Sequence, residues 1–421
     1  MKIAFLGNQD NNALKTAAWM REHDYEVDLY LVSSAPRDLP EKFRPEWTPG
    51  ARSDWIRSTA LEQVEASFAR IRTYYAGHPD LKALDEAGYD IVVSFGVSGL
   101  YYGNHIRKTP RVHYNLGSDF TMRPFIFQRK NVRQLASDFL CWPLARRALK
   151  HARRLFTSMP VAMDAMDRLG HFDKLIAYGE GEVFGDVPGV GLDPTRVAEL
   201  HDQYGSVDRV FLWLSRINYR DPAHIEDKAA DKFLHGLAAV AAVNPNVRAV
   251  VGEHGFDVAI YKALAAELNV DHLIDFVPHL PLWELRTYLA MPNSVIVDCL
   301  APMTSSFGGL VRETIGQGAL MIRYYDQAVI ELVYGPHCPV MHAQSQDAVT
   351  AAMQELAALE PAVFAERRAR MFEWGRQFMA FDVRVPILVA ELEAAAAGAT
   401  YTPHADTEVL RSTVLENYRN R

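Results

Sequence analysis

The feature that most constrains this chain is the alternation of short apolar runs with helix-like segments. Residues 3–6 form an apolar run that ends at Gly7, residues 13–21 fit a helix, and residues 27–32 form the next run. This strand–helix–strand order predicts a parallel sheet covered by helices. The pattern restarts at residues 210–214. We therefore expect an α/β chain with two parallel sheets.

A stretch rich in glycine and proline, residues 178–208, separates the two halves and would interrupt any long element. The 421 residues also exceed what one core usually supports. We predict an N-terminal domain at 1–190, a C-terminal domain at 205–380, and a C-terminal helix and tail at 381–421.

Composition excludes several classes of protein. The formal net charge of −8 argues against a general nucleic-acid binder. Three widely spaced cysteines favour a reducing compartment over a disulfide framework or a structural zinc site. The first residues do not resemble a signal peptide, and no apolar stretch is long enough to span a bilayer. We expect a cytoplasmic protein that can still touch the inner face of a membrane.

Several common motifs are missing from the sequence. Gly7 does not begin a G-x-G-x-x-G turn, and the sequence contains no P-loop, no H-E-x-x-H and no pair of aspartates at D-x-D spacing. A diphosphate bound by this chain would therefore be neutralised by side-chain cations and backbone amides rather than by a metal held on a D-x-D motif.

The most informative segment is a glycine-containing turn between a predicted strand at 295–297 and a predicted helix. The turn would expose backbone amides at a helix start, where an anion is favoured. Glu313 lies about one helical turn beyond Gly309, and its carboxylate suits a ribose better than a phosphate. The alternative is an ordinary strand–helix turn with a surface glutamate. The candidate binding residues of the turn are Ser305, Ser306, Phe307, Gly308 and Gly309.

Two cations follow the predicted strand at 210–214. Arg216, with its planar guanidinium, and Lys228, as a point charge, could together clamp two phosphates. Taken by themselves, the two residues are better explained as solvated charges in a polar loop. After the next predicted strand comes a second glycine turn, Gly252, Glu253, His254 and Gly255, where bare backbone could approach a ring. An ordinary turn is about as consistent with that pattern.

In this order, these pieces resemble the C-terminal domain of the family 4 glycosyltransferases, which are retaining enzymes that use nucleotide sugars. The resemblance implies the GT-B fold: two Rossmann-like domains with parallel sheets facing a central cleft, and a C-terminal helix that crosses back to the first domain. It also implies that Arg216 and Lys228 bind the diphosphate and that Glu313 binds the ribose. The segment at Pro278 and His279 corresponds to the one that meets the base.

The chain departs from the family pattern at two positions. Ser305 stands where the first glutamate of the E-x7-E element is expected, and Leu116 replaces the histidine of a His-Gly-Ser-Asp segment that ends here at Asp119. The role of that histidine is then either vacant or taken over by a neighbour such as His113 or Asn115. His113 is the catalytic candidate, although a lone histidine near a strand end is more often structural. In the N-terminal half, the loop expected to face the donor contains Gly7, Asn11 and Asn12.

Residues 107–154 are strongly basic, with twelve lysines and arginines against two aspartates. Aromatic residues are interleaved with them, which suits an anionic lipid surface or a lipid-pyrophosphate acceptor. Nucleic acid is the competing partner, and a solvated helix face is the structural alternative. The basic residues are Arg107, Lys108, Arg111, Arg123, Arg129, Lys130, Arg133, Arg146, Arg147, Lys150, Arg153 and Arg154.

Taken together, the residues and the resemblance predict a retaining glycosyltransferase that needs neither a metal nor a resident cofactor. Its donor would be a UDP- or GDP-linked sugar, and its acceptor a glycan or a lipid-linked glycan of the kind used for bacterial surface polysaccharides. We expect no nucleic-acid partner. Two alternatives stay open: a sugar-nucleotide epimerase on the same scaffold, and a non-catalytic partner subunit that keeps the fold.

Overall fold

The computed structural model divides the chain into two compact units. Unit 1 contains the described residues up to Gly181 together with those from Phe381 onward, and unit 2 contains the described residues from Glu182 to Ala380. The structure describes residues 1–8, 12–32, 54–61, 74–116, 120, 124, 132–182, 184, 192–220, 227–301, 307–400 and 412, with only the backbone at 132–138.

Unit 1 is built on a parallel sheet in the order β3-β2-β1-β4-β5-β6-β7. The strands are β1 Lys2–Leu6, β2 Glu26–Leu31, β3 Ile56–Ser58, β4 Ile91–Phe95, β5 Arg111–Tyr114, β6 Leu155–Thr157 and β7 Leu175–Ala177. Its helices up to the end of β7 are α1 Asn12–Glu22, α2 Pro79–Glu86, α3 Gly96–Tyr102, α4 Val132–His151 and α5 Pro160–Arg168.

Unit 2 has a second parallel sheet, in the order β10-β9-β8-β11-β12-β13. The strands are β8 Arg209–Trp213, β9 Val247–Gly252, β10 Ile274–Val277, β11 Ser294–Asp298, β12 Leu320–Arg323 and β13 Met341–His342. The helices are α6 Pro194–Tyr204, α7 Asp231–Ala241, α8 Val258–Glu267, α9 Leu282–Ala290, α10 Gly309–Gly316, α11 Gln327–Val333, α12 Gln346–Ala358 and α13 Pro361–Phe378. Helix α14, Phe381–Ala396, packs in unit 1 against α1, β4 and β5.

The central strands are apolar on both faces because helices cover both sides of each sheet. Val210 to Trp213 and Val295 to Val297 have no exposed surface. The predicted parallel α/β architecture is therefore confirmed. Helix α6 lies inside the glycine- and proline-rich stretch at 178–208 that we expected to interrupt long elements. Pro194 occupies its first turn, where no amide donor is needed, and Asp193 caps it through the amides of Thr195 and Arg196.

In both sheets the strand order reverses once. In unit 1 the reversal lies between β1 and β4, and in unit 2 it lies between β8 and β11. Loops that leave two neighbouring parallel strands in opposite directions open a crevice at the carboxyl ends of those strands, where ligands of such folds bind. Within the described segments, no helix combines the length and the apolar composition needed to cross a membrane.

Candidate functional site

The candidate donor residues of unit 2 lie around the strand reversal between β8 and β11. Arg216 follows β8 and is exposed, whereas Lys228 is half-buried at the end of the same β8–α7 connection. Glu313 lies on α10, the helix that follows β11. The topology therefore brings all three residues to the same edge of one sheet.

The loops after β8 and β9 are joined through their backbones. Ile217 N donates to His254 O at 2.8 Å, and Asp257 N donates to Ile217 O at 3.0 Å. Gly255 adopts φ +123°, and a Cβ there would lie 2.5 Å from the Ile217 backbone. This glycine is required by contact between the loops, which is a different reason from the ligand approach that the sequence suggested.

Asn218 and Asp257 organise these loops, and sequence reasoning missed both. Asn218 Oδ1 accepts a hydrogen bond from Phe256 N at 2.8 Å, and its carbonyl accepts one from Lys228 N at 2.8 Å. Asp257 Oδ2 accepts a hydrogen bond from Tyr219 N at 2.9 Å. The two side chains fix the loop on which Arg216 sits. In the sequence, the indication that these residues hold the loops in place is that both are polar residues within loop segments.

Lys228 extends from the β8–α7 connection to the end of β11. Its Nζ lies 3.5 Å from Cys299 Sγ, and its carbonyl accepts a hydrogen bond from Leu300 N at 3.0 Å. Ala229 and Cys299 both have positive φ, +52° and +44°. Such conformations are uncommon in residues with a side chain and persist where surrounding contacts enforce them. The ammonium group is thus held at the strand reversal.

The glycine turn leads directly into α10. Phe307 is buried, with its ring centroid 5.7 Å from those of both Tyr325 and Tyr334. Gly308 is exposed at the helix start and, as a glycine in the N-cap position, has no side chain to cap the first amides of α10. An uncapped helix start of this kind offers amide donors to an anion.

Glu313 is 6% exposed, and its Oε1 lies 3.6 Å from the point where a Cβ on Gly309 would stand. The carboxylate therefore lies beside the start of α10, as its spacing predicted. The buried Arg312, which the sequence reasoning passed over, donates from Nη1 to Phe307 O at 3.3 Å and adds a positive charge to this turn. In the sequence, this role of Arg312 was indicated by its position directly before Glu313, in the same motif.

Beside this edge, after β9 and β10, stand two histidines and a glutamate. The rings of His254 and His279 are perpendicular, with centroids 5.0 Å apart. Burial, followed by the charges of His279 and Arg216, lowers the pKa of His254 to about 4, so its imidazole is neutral at pH 7. Glu253 is paired with Lys262 at 2.7 Å, while Pro278 and His279 are exposed.

Among the described residues, no group of three or more His, Cys, Asp or Glu side chains is arranged to hold a metal ion.

No protein-family model matches the chain, and no curated protein sequence matches it significantly.

Solved structures do match the chain along nearly its whole length. Sucrose-phosphate synthase from Thermosynechococcus elongatus is 14% identical with a TM-score of 0.65, covering 94% of this chain and 100% of its own. HepE from Anabaena, solved with UDP and glucose, is 13% identical with a TM-score of 0.62 and the same coverage. The chain has the GT-B fold.

The GT-B fold is not confined to transferases. A putative UDP-N-acetylglucosamine 2-epimerase from Listeria monocytogenes is 11% identical with a TM-score of 0.56, covering 96% of this chain and 99% of its own. At identities this low the likeness establishes the fold, and a fold alone does not determine an activity.

In the first unit of this GT-B fold, the described candidates face inward. Gly7 has φ +98°, and a Cβ there would lie 3.0 Å from Phe95 O. Asn12 is buried at the start of α1. The His113 side chain has no exposed surface, and its Nδ1 is hydrogen-bonded to Ser94 Oγ at 2.9 Å. This burial and this hydrogen bond are those expected under the structural alternative for His113.

Four candidate residues lie outside the described residues: Asn11, Asp119, Ser305 and Ser306.

The basic region of the GT-B chain does not form one surface. Arg111 is buried, and burial lowers its pKa to about 10. Arg153 and Arg154 donate to backbone carbonyls at and beyond the end of α14, including Ala396 O at 3.1 Å and Ala399 O at 2.8 Å. Arg123, Arg129 and Lys130 lie outside the described residues, as does the Arg133 side chain. The exposed basic residues are Arg107, Lys108, Arg146, Arg147, Lys150 and Arg153.

Proposed function

We propose that the chain is a glycosyltransferase that moves a sugar from a UDP- or GDP-linked donor to a glycan or lipid-linked acceptor with retention of configuration. The observation that carries the proposal is the arrangement in unit 2. Arg216, Lys228, the uncapped start of α10 and Glu313 share the edge of the sheet where the strand order reverses. Unit 2 would bind the nucleotide, and unit 1 would bind the acceptor.

In this reaction, negative charge builds on the diphosphate as its bond to the sugar breaks. The two cations and the backbone amides of Gly308 and Gly309 would stabilise that charge without a metal. Fixed donors also avoid the cost of reorganising water around the leaving group. Glu313 accepts hydrogen bonds from the ribose hydroxyls, because a carboxylate beside a diphosphate is favourable only when hydroxyl donors separate the two.

Retention is proposed from the resemblance together with the residues at hand. No pair of carboxylates suited to a double displacement was evident in the sequence. The sequence has Ser305, not a glutamate, at the position where family members contact the donor sugar. The hydroxyl of Ser305 would then contact the sugar, and the acceptor would attack from the face on which the diphosphate leaves.

The proposal is tested first by nucleotide binding. We expect UDP or GDP to raise the melting temperature, and the shift to be the same with EDTA present, because the site uses only protein donors. Donor sugars are then incubated with lipid-linked glycans, and the anomeric configuration of the product is read by NMR. Absence of binding by any nucleoside diphosphate, or an inverted product, would contradict the proposal.

A sugar-nucleotide epimerase is the second candidate, because a putative epimerase from Listeria monocytogenes has the same fold. Incubation of UDP-N-acetylglucosamine without an acceptor separates the two functions. An epimerase produces the C2 epimer, visible by NMR, whereas a transferase leaves the sugar configuration unchanged. A chain that binds no nucleotide at all would instead be a non-catalytic partner.

The exposed part of helix α4 is our proposed contact with an anionic membrane at the cytoplasmic face. Phe139 is 59% exposed, and the Arg146 guanidinium lies 4.8 Å from the centroid of the Trp142 ring. We expect binding to vesicles that contain anionic lipid and its loss at high salt, because the Debye length is only about 3 Å at 1 M. Equal binding to neutral vesicles would contradict an electrostatic contact.

A further inference from the structure

A buried carboxylate joins three strand ends beside the candidate donor site. Asp298 ends β11 and is 4% exposed. Its Oδ1 accepts a hydrogen bond from Ser215 Oγ, next to Arg216. Its Oδ2 lies 3.2 Å from Nη1 of Arg323, which ends β12 directly opposite. One side chain thus ties the carboxyl ends of β8, β11 and β12 together.

The contact continues to the glycine turn through the arginine. Arg323 is 2% exposed, and its guanidinium carbon lies 5.7 Å from the centroid of the Phe307 ring. Phe307 immediately precedes Gly308 and Gly309. The backbone after Asp298 is also fixed, because Cys299 O accepts a hydrogen bond from Tyr324 N at 3.2 Å.

We propose that Asp298 is a positioning residue of the donor site. It holds the Arg216 loop through Ser215, and it holds the glycine turn through Arg323 and Phe307. The inference rests on the proposed function, because what Asp298 positions is the group of donors for the diphosphate. Asp298 does not contact the diphosphate itself, since two anions in contact would repel and its charge is matched by Arg323.

The physical reason is preorganisation. Arg216 is exposed and lies on a loop, so without restraint its guanidinium would lose entropy when it binds a diphosphate. The partly buried hydrogen bond of the preceding residue, Ser215, restrains this loop when the chain folds, so less entropy is lost on binding. The same strand end carries Cys299, whose sulfur contacts Lys228. Both cations of the site therefore depend on the position of one strand end.

Ser215→Ala tests the proposal, because it removes the link to the Arg216 loop and leaves the Asp298–Arg323 ion pair intact. We expect the Kd for UDP or GDP, whichever the wild-type chain binds, to weaken about tenfold by calorimetry, as for the loss of one hydrogen bond to a charged group. Ser215→Thr keeps the hydroxyl and should restore binding. If the alanine variant does not fold, Ser215→Cys, with its weak donor, replaces it.

The matched control is Ser294→Ala, at the opposite end of β11. The Ser294 hydroxyl lies 3.0 Å from Leu289 O and 2.9 Å from Met291 O, and it donates its one proton between these two carbonyls. This variant should lower the melting temperature without changing the Kd. If it weakens binding as much as Ser215→Ala does, the loss of affinity in Ser215→Ala reflects a general structural defect and not the positioning of Arg216.

A double-mutant cycle shows whether Ser215 acts through Arg216. In an Arg216→Lys background, Ser215→Ala should weaken binding by much less than tenfold, because the fork it positions is gone. Unchanged affinity in Ser215→Ala, no rescue by threonine, or full additivity with Arg216→Lys would overturn the inference. If the wild-type chain binds no nucleoside diphosphate, the proposed function fails instead, so the two failures are distinguishable.

Discussion

The two units share an architecture but differ at their strand reversals. In unit 2 the loops beyond β8 and β11 present an exposed arginine, a lysine and an uncapped helix start. In unit 1 the described polar groups near the β1–β4 reversal face inward: Asn8 Oδ1 accepts a hydrogen bond from Leu14 N at 3.0 Å, and Ser94 is bonded to His113. The strand order produces a crevice in both units. The side chains at each crevice determine whether charged groups are exposed there to bind a ligand.

The arginines of the two units show the same contrast. Arg111 is buried within unit 1, and Arg154 donates to the Ala399 carbonyl beyond α14, whereas Arg216 is exposed beside the crevice of unit 2. A basic residue in a sequence cluster therefore does not by itself contribute to a basic surface. Burial and backbone bonding must be known before a charge can be assigned to a partner.

The largest expected effect comes from removing a cation of the unit 2 site. Arg216→Ala or Lys228→Ala should reduce sugar transfer by about 100-fold or more, because each stabilises charge on the leaving diphosphate. Melting temperatures should stay near wild type, since Arg216 is exposed and Lys228 half-buried. Arg220→Ala, an exposed arginine on the same loop, is the matched control. Wild-type transfer by both alanine variants would remove the diphosphate assignment.

A smaller effect is expected at the ribose. The wild-type chain should bind UDP or GDP about tenfold more tightly in Kd than the 2′-deoxy form, because the ribose hydroxyl makes a charge-assisted hydrogen bond to Glu313. Glu313→Ala should abolish that preference. Competition titrations with the two nucleotides measure this preference. A Glu313→Ala variant that still discriminates between them would assign the carboxylate to packing alone.

The loop contact of unit 2 predicts a difference between two glycines. Gly255→Ala should lower the free energy of unfolding by about 2 kcal/mol or more, because its φ is +123° and the new Cβ would meet Ile217. Gly308→Ala should change it by less than about 0.5 kcal/mol, since a Cβ there lies within 4 Å of no atom of the described residues. Urea titrations compare the variants, and equal stabilities would contradict the loop contact.

The smallest expected effect is a pH dependence from His254. Its pKa of about 4 lies below the value of about 6.5 expected in the unfolded chain. The neutral ring therefore stabilises the fold fully above pH 6.5, and that stability is lost as the pH falls toward 4. His254→Gln should make the melting temperature less sensitive between pH 7.5 and 5. An unchanged slope would mean that the ring is not buried in solution.

Part of the site was predictable because spacing along the chain fixes local geometry. One helical turn separates Gly309 from Glu313, and the structure places the carboxylate beside that glycine. Arg216 and Lys228 follow β8, and in a parallel sheet the carboxyl ends of all strands lie at one edge. His113 was harder to judge from the sequence, because the hydroxyl that its ring is hydrogen-bonded to belongs to Ser94, 19 residues earlier in the chain.

By itself the sequence determined the two parallel sheets, since apolar runs and helical periodicity act through near neighbours. It also determined the glycine turn before α10 and its following carboxylate. Only the tertiary structure decided which charged side chains are exposed to a ligand and which are buried or paired within the protein. Ser215, Asp298 and Arg323 are distant in the chain and form one network because β8, β11 and β12 are adjacent in the sheet. Strand order is set by the packing of the whole unit, and no local pattern encodes it.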